Sequence, residues 1–289
     1  MKKYALVVLL LLLWIGSTPA YSECPSFPAT TANIVTWNLS GFNVIPREKA
    51  RIFANAIAYL DPEVLVLAEV NPDFMAAEIV AELNEMGICY RRALLDQTAR
   101  QNIAILYKPG VQLSNLRFIE DSDNSDANLR KALAADVKIG EFDFILIGVH
   151  LKSDRTNAAR AIRNAQALAI ASFIESATAA DEKDVLVVGD YNMIPGQDQT
   201  NFDSMNPDDY LTFISYSLSS QCSHISASGT CNLLDGYAVS HGHTSEYIAG
   251  SIRIVPMHEI LGLPLMNYRT IISDHLPLGA TFRITDDDD

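Results

Sequence analysis

The chain has 289 residues, 49% of them hydrophobic and 19% charged, with a formal net charge of −14 and four cysteines. That composition excludes a disordered or low-complexity polymer and leaves enough apolar residues for one substantial core. The acidity opposes tight non-specific binding to a polyanion over the whole surface, but it does not exclude a phosphate ester held in a local basic cleft.

Lys2 and Lys3 precede an apolar run from Tyr4 to Ile15, followed by GSTPAYSEC, whose small residues suit cleavage after Ala20 or Ser22. This pattern predicts a signal peptide over 1–22, a single domain over 23–289, and a secreted or periplasmic protein. The run is well short of the roughly 20 residues that span a bilayer, so no stable membrane insertion is expected.

Apolar, β-branched runs then recur as NIVTWNL, EVLVLAEV, NIAILYK, FDFILIGVHL, DVLVVGDYN and IRIVP. Helix-period segments lie between several of them, over Arg47–Leu60, Asp73–Met86 and about 157–177, with Pro46 and Pro72 at tolerated starting positions. A mixed α/β chain follows from this alternation. EDSDNSD (120–126), DEKD (181–184) and the terminal DDDD read as solvated loops and a tail. Cys222 and Cys231 flank a polar stretch and are expected to close a small loop, with Cys24 and Cys89 tying the N-terminus to the body, although three pairings are open. No cysteine pair has the close spacing of a zinc site.

The polar residues fall at informative places. Asn38 follows IVTW, Glu69 follows VLVLA, His150 follows ILIGV, and Asp190 and Asn192 follow VLVVG. Each ends an apolar strand, which predicts that several strand ends meet in one polar pocket. In TIISDHLPLGATF (270–282), Asp274 and His275 interrupt a run whose Leu276, Leu278, Ala280 and Phe282 alternate as a half-buried strand.

Taken in order, TWNLSGF, LVLAEVNP, QNIAILYK, IGVHLKS, VVGDYNMIP, LLDGYAVS and SDHLPLGATF resemble the endonuclease/exonuclease/phosphatase superfamily over residues 34–282, in the manner of the pancreatic-type deoxyribonucleases. The resemblance implies a four-layer α/β sandwich, two mixed β-sheets packed face to face with helices outside. It also implies divalent-metal-dependent cleavage of phosphate esters. Glu69 is then the main ligand of Mg²⁺, or of Mn²⁺ or Ca²⁺, because hard ions prefer carboxylate oxygen. Asn38 is expected beside it as a direct or water-mediated ligand, and Asp274 faces the metal. Asp235 hydrogen-bonds His275 and raises its basicity, and His275 activates water or binds the attacked phosphate. Asp190 orients the water or protonates the leaving group, and Asn192 donates to a phosphate oxygen. His150 is expected as a phosphate contact or acid, and Arg130 as a further phosphate contact. Two positions depart from the pattern: Gln101 stands near where a carboxylate pairs with the second histidine, and Gly236 separates Asp235 from Tyr237. His224, His241, His243 and His258 match no motif and read as structural or exposed.

The implied activity is that of an exported endonuclease acting on DNA as a monomer, with basic residues of KSDRTNAARAIR (152–163) and of Arg91–Arg100 tracking the backbone. A sphingomyelinase-like or other lipid or inositol phosphodiesterase or phosphatase is the alternative, with MHEILGLPLM (257–266) as the nearest apolar loop. A non-catalytic secreted binding module is disfavoured, because Glu69, Asp190, Asn192, Asp274 and His275 are all present.

Overall fold

The central strands are apolar on both faces because both faces are covered. The computed structural model describes residues 29–40, 47–70, 73–99, 101–179 and 183–286. Its first half contains β1 (Thr31–Asn38), α1 (Arg47–Leu60), β2 (Val64–Val70), α2 (Asp73–Glu85), β3 (Arg91–Leu94), β4 (Asn102–Tyr107), β5 (Gln112–Phe118), β6 (Leu133–Ile139) and β7 (Phe142–His150). The second half contains α3 (Asn157–Thr178), β8 (Val185–Asp190), α4 (Gln199–Met205), β9 (Leu211–Thr212), a 3-10 turn (Ile214–Leu218), β10 (His224–Ile225), β11 (Cys231–Asn232), β12 (Asp235–Ser240), β13 (Arg253–Ile254), α5 (Met257–Ile260), α6 (Leu265–Ile271) and β14 (Leu278–Arg283).

Among the described residues the strands form two six-stranded mixed sheets, ordered β13-β14-β1-β2-β4-β3 and β5-β6-β7-β8-β12-β9, and a separate β10-β11 hairpin. Side chains alternate across each strand. Val64 and Val66 of β2 meet Leu146, Leu186 and Val188 between the sheets, whereas Leu65 and Leu67 pack with Phe53, Ile57, Ile79 and Leu83 of α1 and α2. On the far side, Ile145, Ile147, Val185 and Val187 pack with Ile170, Ile174, Phe202 and Met205 of α3 and α4. The result is the expected four-layer sandwich.

The parallel pairs β1/β2 and β7/β8 are joined through α1 and α3, so their carboxyl ends share an edge, the usual place for a ligand in such sheets. Thr156 starts α3 as its N-cap, accepting from Ala159 N. The expected leader over 1–22 lies outside the described residues, as do Cys24 with its pairing to Cys89, and Pro46, Pro72 and Arg100. The Cys222–Cys231 disulfide is present. Among the described residues no helix is long and apolar enough to cross a membrane. The segment 257–266 is not an apolar loop: it folds into α5 and the start of α6, with Met257 buried and Leu261, Leu263 and Leu265 packed against the core.

Candidate active site

The strand register delivers the site. On the second sheet His150 pairs with Asp190 across β7/β8, and Asp190 pairs with Asp235 across β8/β12. From the first sheet, Asn38 at the end of β1 reaches across and donates through Nδ2 to Asp190 Oδ2 at 3.0 Å and to Glu69 Oε1 at 3.3 Å. The cleft above these residues has a volume of about 260 Å³ and is lined by Glu69, His150, Asp190, Asn192, Asp274 and His275 among others. A larger hollow of about 540 Å³ lies on the outer sheet around Arg117, Asp136, Lys138 and Asp143. Its charges are paired with one another, Arg117 with Asp136 and Lys138 with Asp143.

Several residues at or beside the cleft adopt left-handed backbone. Ser40, Glu69 and Asn192 have φ of 56°, 59° and 52°. Asparagine tolerates this conformation, but glutamate rarely does, and such strain costs about 1–3 kcal/mol where the surroundings enforce it. At Glu69 the cause is a register shift between Leu67 and Val70 in the β2/β4 ladder, which re-aims this one side chain. Gly189 has φ of 139°, and a Cβ there would lie 2.0 Å from the Val149 carbonyl oxygen, so only glycine lets Asp190 rise beside β7.

The Asp-His interruption of the last strand is explained by its tethers. Trp37 Nε1 and Tyr268 OH donate to the His275 carbonyl at 3.1 and 2.8 Å, Ser273 Oγ donates to the Asn38 carbonyl at 2.6 Å, and His275 N donates to Ser273 Oγ at 2.9 Å. Asp274 receives the Ser40 hydroxyl on Oδ1 and donates its N–H back to Ser40 Oγ. The two side chains therefore sit at the carboxyl edge rather than in the sheet. His275 Nδ1 meets Asp235 Oδ2 at 2.8 Å, and His275 Nε2 lies 3.7 Å from Asp190 Oδ2.

Burial opposes charge on His275, but the charges of Asp235 and Asp190, the Asp235 hydrogen bond and the Asp274 charge outweigh it and raise its pKa to about 10. Burial raises Asp190 to about 7, with the His275 charge pulling it down and Asp235 and Glu69 pushing it up. His150 is held well below the ordinary histidine value by burial, by Arg130 and by His275. The site thus combines an imidazolium, a carboxyl near neutrality and a neutral imidazole whose Nε2 lies 3.6 Å from Glu69 Oε1 and 3.5 Å from Asp190 Oδ2.

The structure brings together Glu69, His150, Asp190, Asn192, Asp235, Asp274 and His275, and corrects other expectations. Arg130 is buried and committed to the protein: its guanidinium donates to the His150 and Leu151 carbonyls, each at 2.7 Å, and to Gln101 Oε1 at 3.0 Å. A guanidinium under the end of β7 is a scaffold for His150. Asn38 turns its amide nitrogen toward the carboxylates of Glu69 and Asp190 and orients them, while its Oδ1 accepts from Ser40 N at 2.9 Å. Gln101 is engaged with Arg130, and His150 Nδ1 has no hydrogen-bond partner among the described residues, as expected from the missing carboxylate. Asn192 lines the cleft, but its Nδ2 also donates to the Leu151 carbonyl at 3.2 Å.

In the basic segment, Arg155 and Arg160 pair with buried Asp198 at 2.8 and 2.9 Å, and Arg163 is fully buried, so much of this charge braces the loop after β7. Arg92 likewise pairs with Asp73. Gly236 has a packing reason, for a Cβ there would lie 2.2 Å from the Tyr191 ring. The aromatic after Asp190 thus occupies the space over the residue after Asp235. The reading of the sequence missed His224, which lines the cleft with its ring 4.8 Å from that of His275. Its only sequence signal is its place inside the Cys222–Cys231 loop just ahead of LLDGY.

A metal would find hard oxygen donors here. The donor atoms of Asp190, Asp235 and His275 lie within 4.8 Å of one another, and Asp235 Oδ1 is buried with no hydrogen-bond partner among the described residues. However, the Asp235–His275 edge is already a hydrogen bond, so the carboxylates open to the cleft, Glu69 and Asp274 with Asp190 beside them, fit a hard divalent ion better.

A profile of the endonuclease/exonuclease/phosphatase family matches residues 35–275. The tyrosyl-DNA phosphodiesterases 2 of Rattus norvegicus and Mus musculus are each 25% identical over 174 residues, which is 60% of this chain and 44% of the relative, so the match spans less than half of each relative. Among solved structures, truncated Caenorhabditis elegans TDP2 superposes with a TM-score of 0.66 at 16% identity, covering 88% of this chain and 97% of that one. A variant of the Neisseria 3′ phosphatase NExo bound to a product DNA hairpin gives 0.64 at 17% identity over 87% and 99%. The human Nocturnin catalytic domain with bound sulfate gives 0.62 at 18% identity over 88% and 94%. At these identities the structural likeness is one of fold.

Proposed function

The chain belongs to the endonuclease/exonuclease/phosphatase family, and from that premise we propose that it is an exported nuclease that hydrolyses phosphodiester bonds of DNA with Mg²⁺. The observation that carries the reading is the convergence of Glu69, Asp190 and Asp274 on one cleft with an Asp235-held imidazolium and a neutral His150. Phosphodiesters require large acceleration, and these groups cover the needed tasks of water activation, charge neutralisation and leaving-group support. Glu69 and Asp274 would hold the ion, which supplies neutralisation of the phosphate charge and a more acidic bound water.

The remaining steps belong to the side chains. His275, kept protonated on Nδ1 by Asp235, donates Nε2–H to a phosphate oxygen. Asp190, with a pKa of about 7, exchanges a proton with the water or the leaving oxygen at neutral pH. His150 and Asn192 add neutral donors. DNA is the favoured substrate because the curated relatives are tyrosyl-DNA phosphodiesterases and one similar structure holds a DNA product. Export is supported by the leader pattern and by the Cys222–Cys231 disulfide. The lipid alternative loses its apolar loop, since 257–266 folds into α5 and the start of α6, with Met257 buried and Leu261, Leu263 and Leu265 packed against the core.

The test is a plasmid-nicking assay on the oxidised protein with Mg²⁺, with EDTA and Glu69→Ala as controls. Nicking that requires both the ion and Glu69 is the expected result. A folded protein that leaves plasmid DNA intact while releasing phosphocholine from sphingomyelin would overturn the nuclease reading.

A further inference from the structure

The cleft contains a third imidazole to which the chemistry above gives no task. His224 stands on the β10-β11 hairpin, which the Cys222–Cys231 disulfide closes. Main-chain bonds fasten this hairpin to the Asp274–His275 segment: Ile225 N donates to the Asp274 carbonyl at 2.8 Å and Leu276 N donates to the Ser223 carbonyl at 2.7 Å. Arg269 Nε adds a bond to the Ile225 carbonyl at 2.9 Å. The same hairpin steadies Asp235, since the buried Ser223 hydroxyl accepts from Leu234 N and Asp235 N at 3.0 and 3.1 Å. His224 is therefore as firmly placed as the residues already assigned, and by the same elements.

Its side chain is held there at a cost. Nδ1 is buried with no hydrogen-bond partner among the described residues, and Nε2 lies 3.9 Å from Asp274 Oδ2, beyond hydrogen-bond reach. The ring is tilted 57° from that of His275, with centroids 4.8 Å apart. An apolar side chain would pack against His275 without burying an unsatisfied nitrogen, so packing does not explain an imidazole here. With Nδ1 enclosed and lacking an acceptor among the described residues, the ring proton belongs on Nε2, the nitrogen on the side of Asp274, which lines the cleft with His224.

We propose that His224 is a substrate-contacting residue, donating its Nε2–H to a phosphate oxygen from the Asp274 side of the cleft as His150 does from the Glu69 side. The assignment rests on the phosphoesterase reading of the same site. It makes the disulfide-closed hairpin part of the catalytic wall rather than a surface ornament.

The test compares His224→Ala, His224→Gln and His224→Asn, because a glutamine amide reaches the Nε2 position and an asparagine amide does not. With bis(p-nitrophenyl) phosphate as substrate, the alanine variant is expected to lose about 10- to 100-fold in kcat/KM, the range for one charge-assisted hydrogen bond. Glutamine should recover most of that loss and asparagine little. Titration with inorganic phosphate, followed by NMR of the His224 ring nitrogens, gives a second readout that needs no turnover. Movement of Nε2 on phosphate addition to the wild type, with phosphate binding weakened in the alanine variant, supports the contact even if the wild type cleaves no ester, a result that would sink the phosphoesterase reading alone. An unmoved His224 resonance, an alanine variant within about twofold of wild type, or equal losses in all three variants would each overturn it.

Discussion

Replacing Asp235 with asparagine keeps the shape of the side chain and removes one charge from beneath His275. The two partners are buried and 2.8 Å apart. At an effective dielectric near 20, unit charges at that separation attract by about 6 kcal/mol, or about four decades in the protonation equilibrium. The burial that opposes the imidazolium remains, and Asp190, 3.7 Å away, remains as the other supporting charge. The pKa of His275 is therefore expected to fall from about 10 to near its ordinary 6.5. By linkage, the raised pKa stabilises the fold below pH 6.5, and this stabilisation is lost as pH rises through about 10. In Asp235→Asn most of it should be absent across that window. Nitrogen NMR titration of the imidazole in the metal-free protein measures the shift, and the pH profile of kcat/KM should lose its alkaline half. A His275 that still titrates above pH 9 in the variant would refute the argument, and would make Asp190 the group that holds the proton.

Gly189→Ala should lower unfolding free energy by about 3 kcal/mol or more, since it combines positive φ with a clash against the Val149 carbonyl. Urea denaturation measures this. The double variant Cys222→Ser/Cys231→Ser opens a loop of sequence separation 9, and loop-closure entropy puts the loss at about 2.7 kcal/mol, to be read from the same melts. Acidification should destabilise the fold through two histidines. His150 is depressed by burial, by Arg130 and by His275, and His224 is lowered to about 4 by burial and by the His275 charge. Stability from these groups is complete above pH 6.5 and falls as pH drops toward 4, so the urea midpoint should decrease over that interval. His150→Gln should flatten the decrease.

Much of the molecule follows from local pattern. Continuous apolar runs of five to seven residues fit strands covered on both faces, helix-period segments fit the outer layers, and a polar residue at each strand end was enough to propose one pocket. Glu69, Asp190, Asp235, Asp274 and His275 were legible because each belongs to a short ordered motif. Less visible were β3 and β5, whose charged and partly exposed residues carry little periodic signal, since edge strands need no second apolar face.

The tertiary structure decided what each polar atom faces. Arg130 looked like a phosphate contact, yet the end of β7 leaves two carbonyls that its guanidinium satisfies. Asn38 looked like a metal ligand, yet two carboxylates from different strands draw its amide nitrogen. His224 carried no motif, and only the pairing of its hairpin with the Asp274–His275 segment brings it into the cleft. Sequence by itself thus determined the alternation of strands and helices and most of the chemical groups, because burial periodicity and motif order are local properties, while the four layers were implied only through the family resemblance. The partner of each group was decided by strand register across two sheets, where residues more than 150 positions apart meet within hydrogen-bond distance.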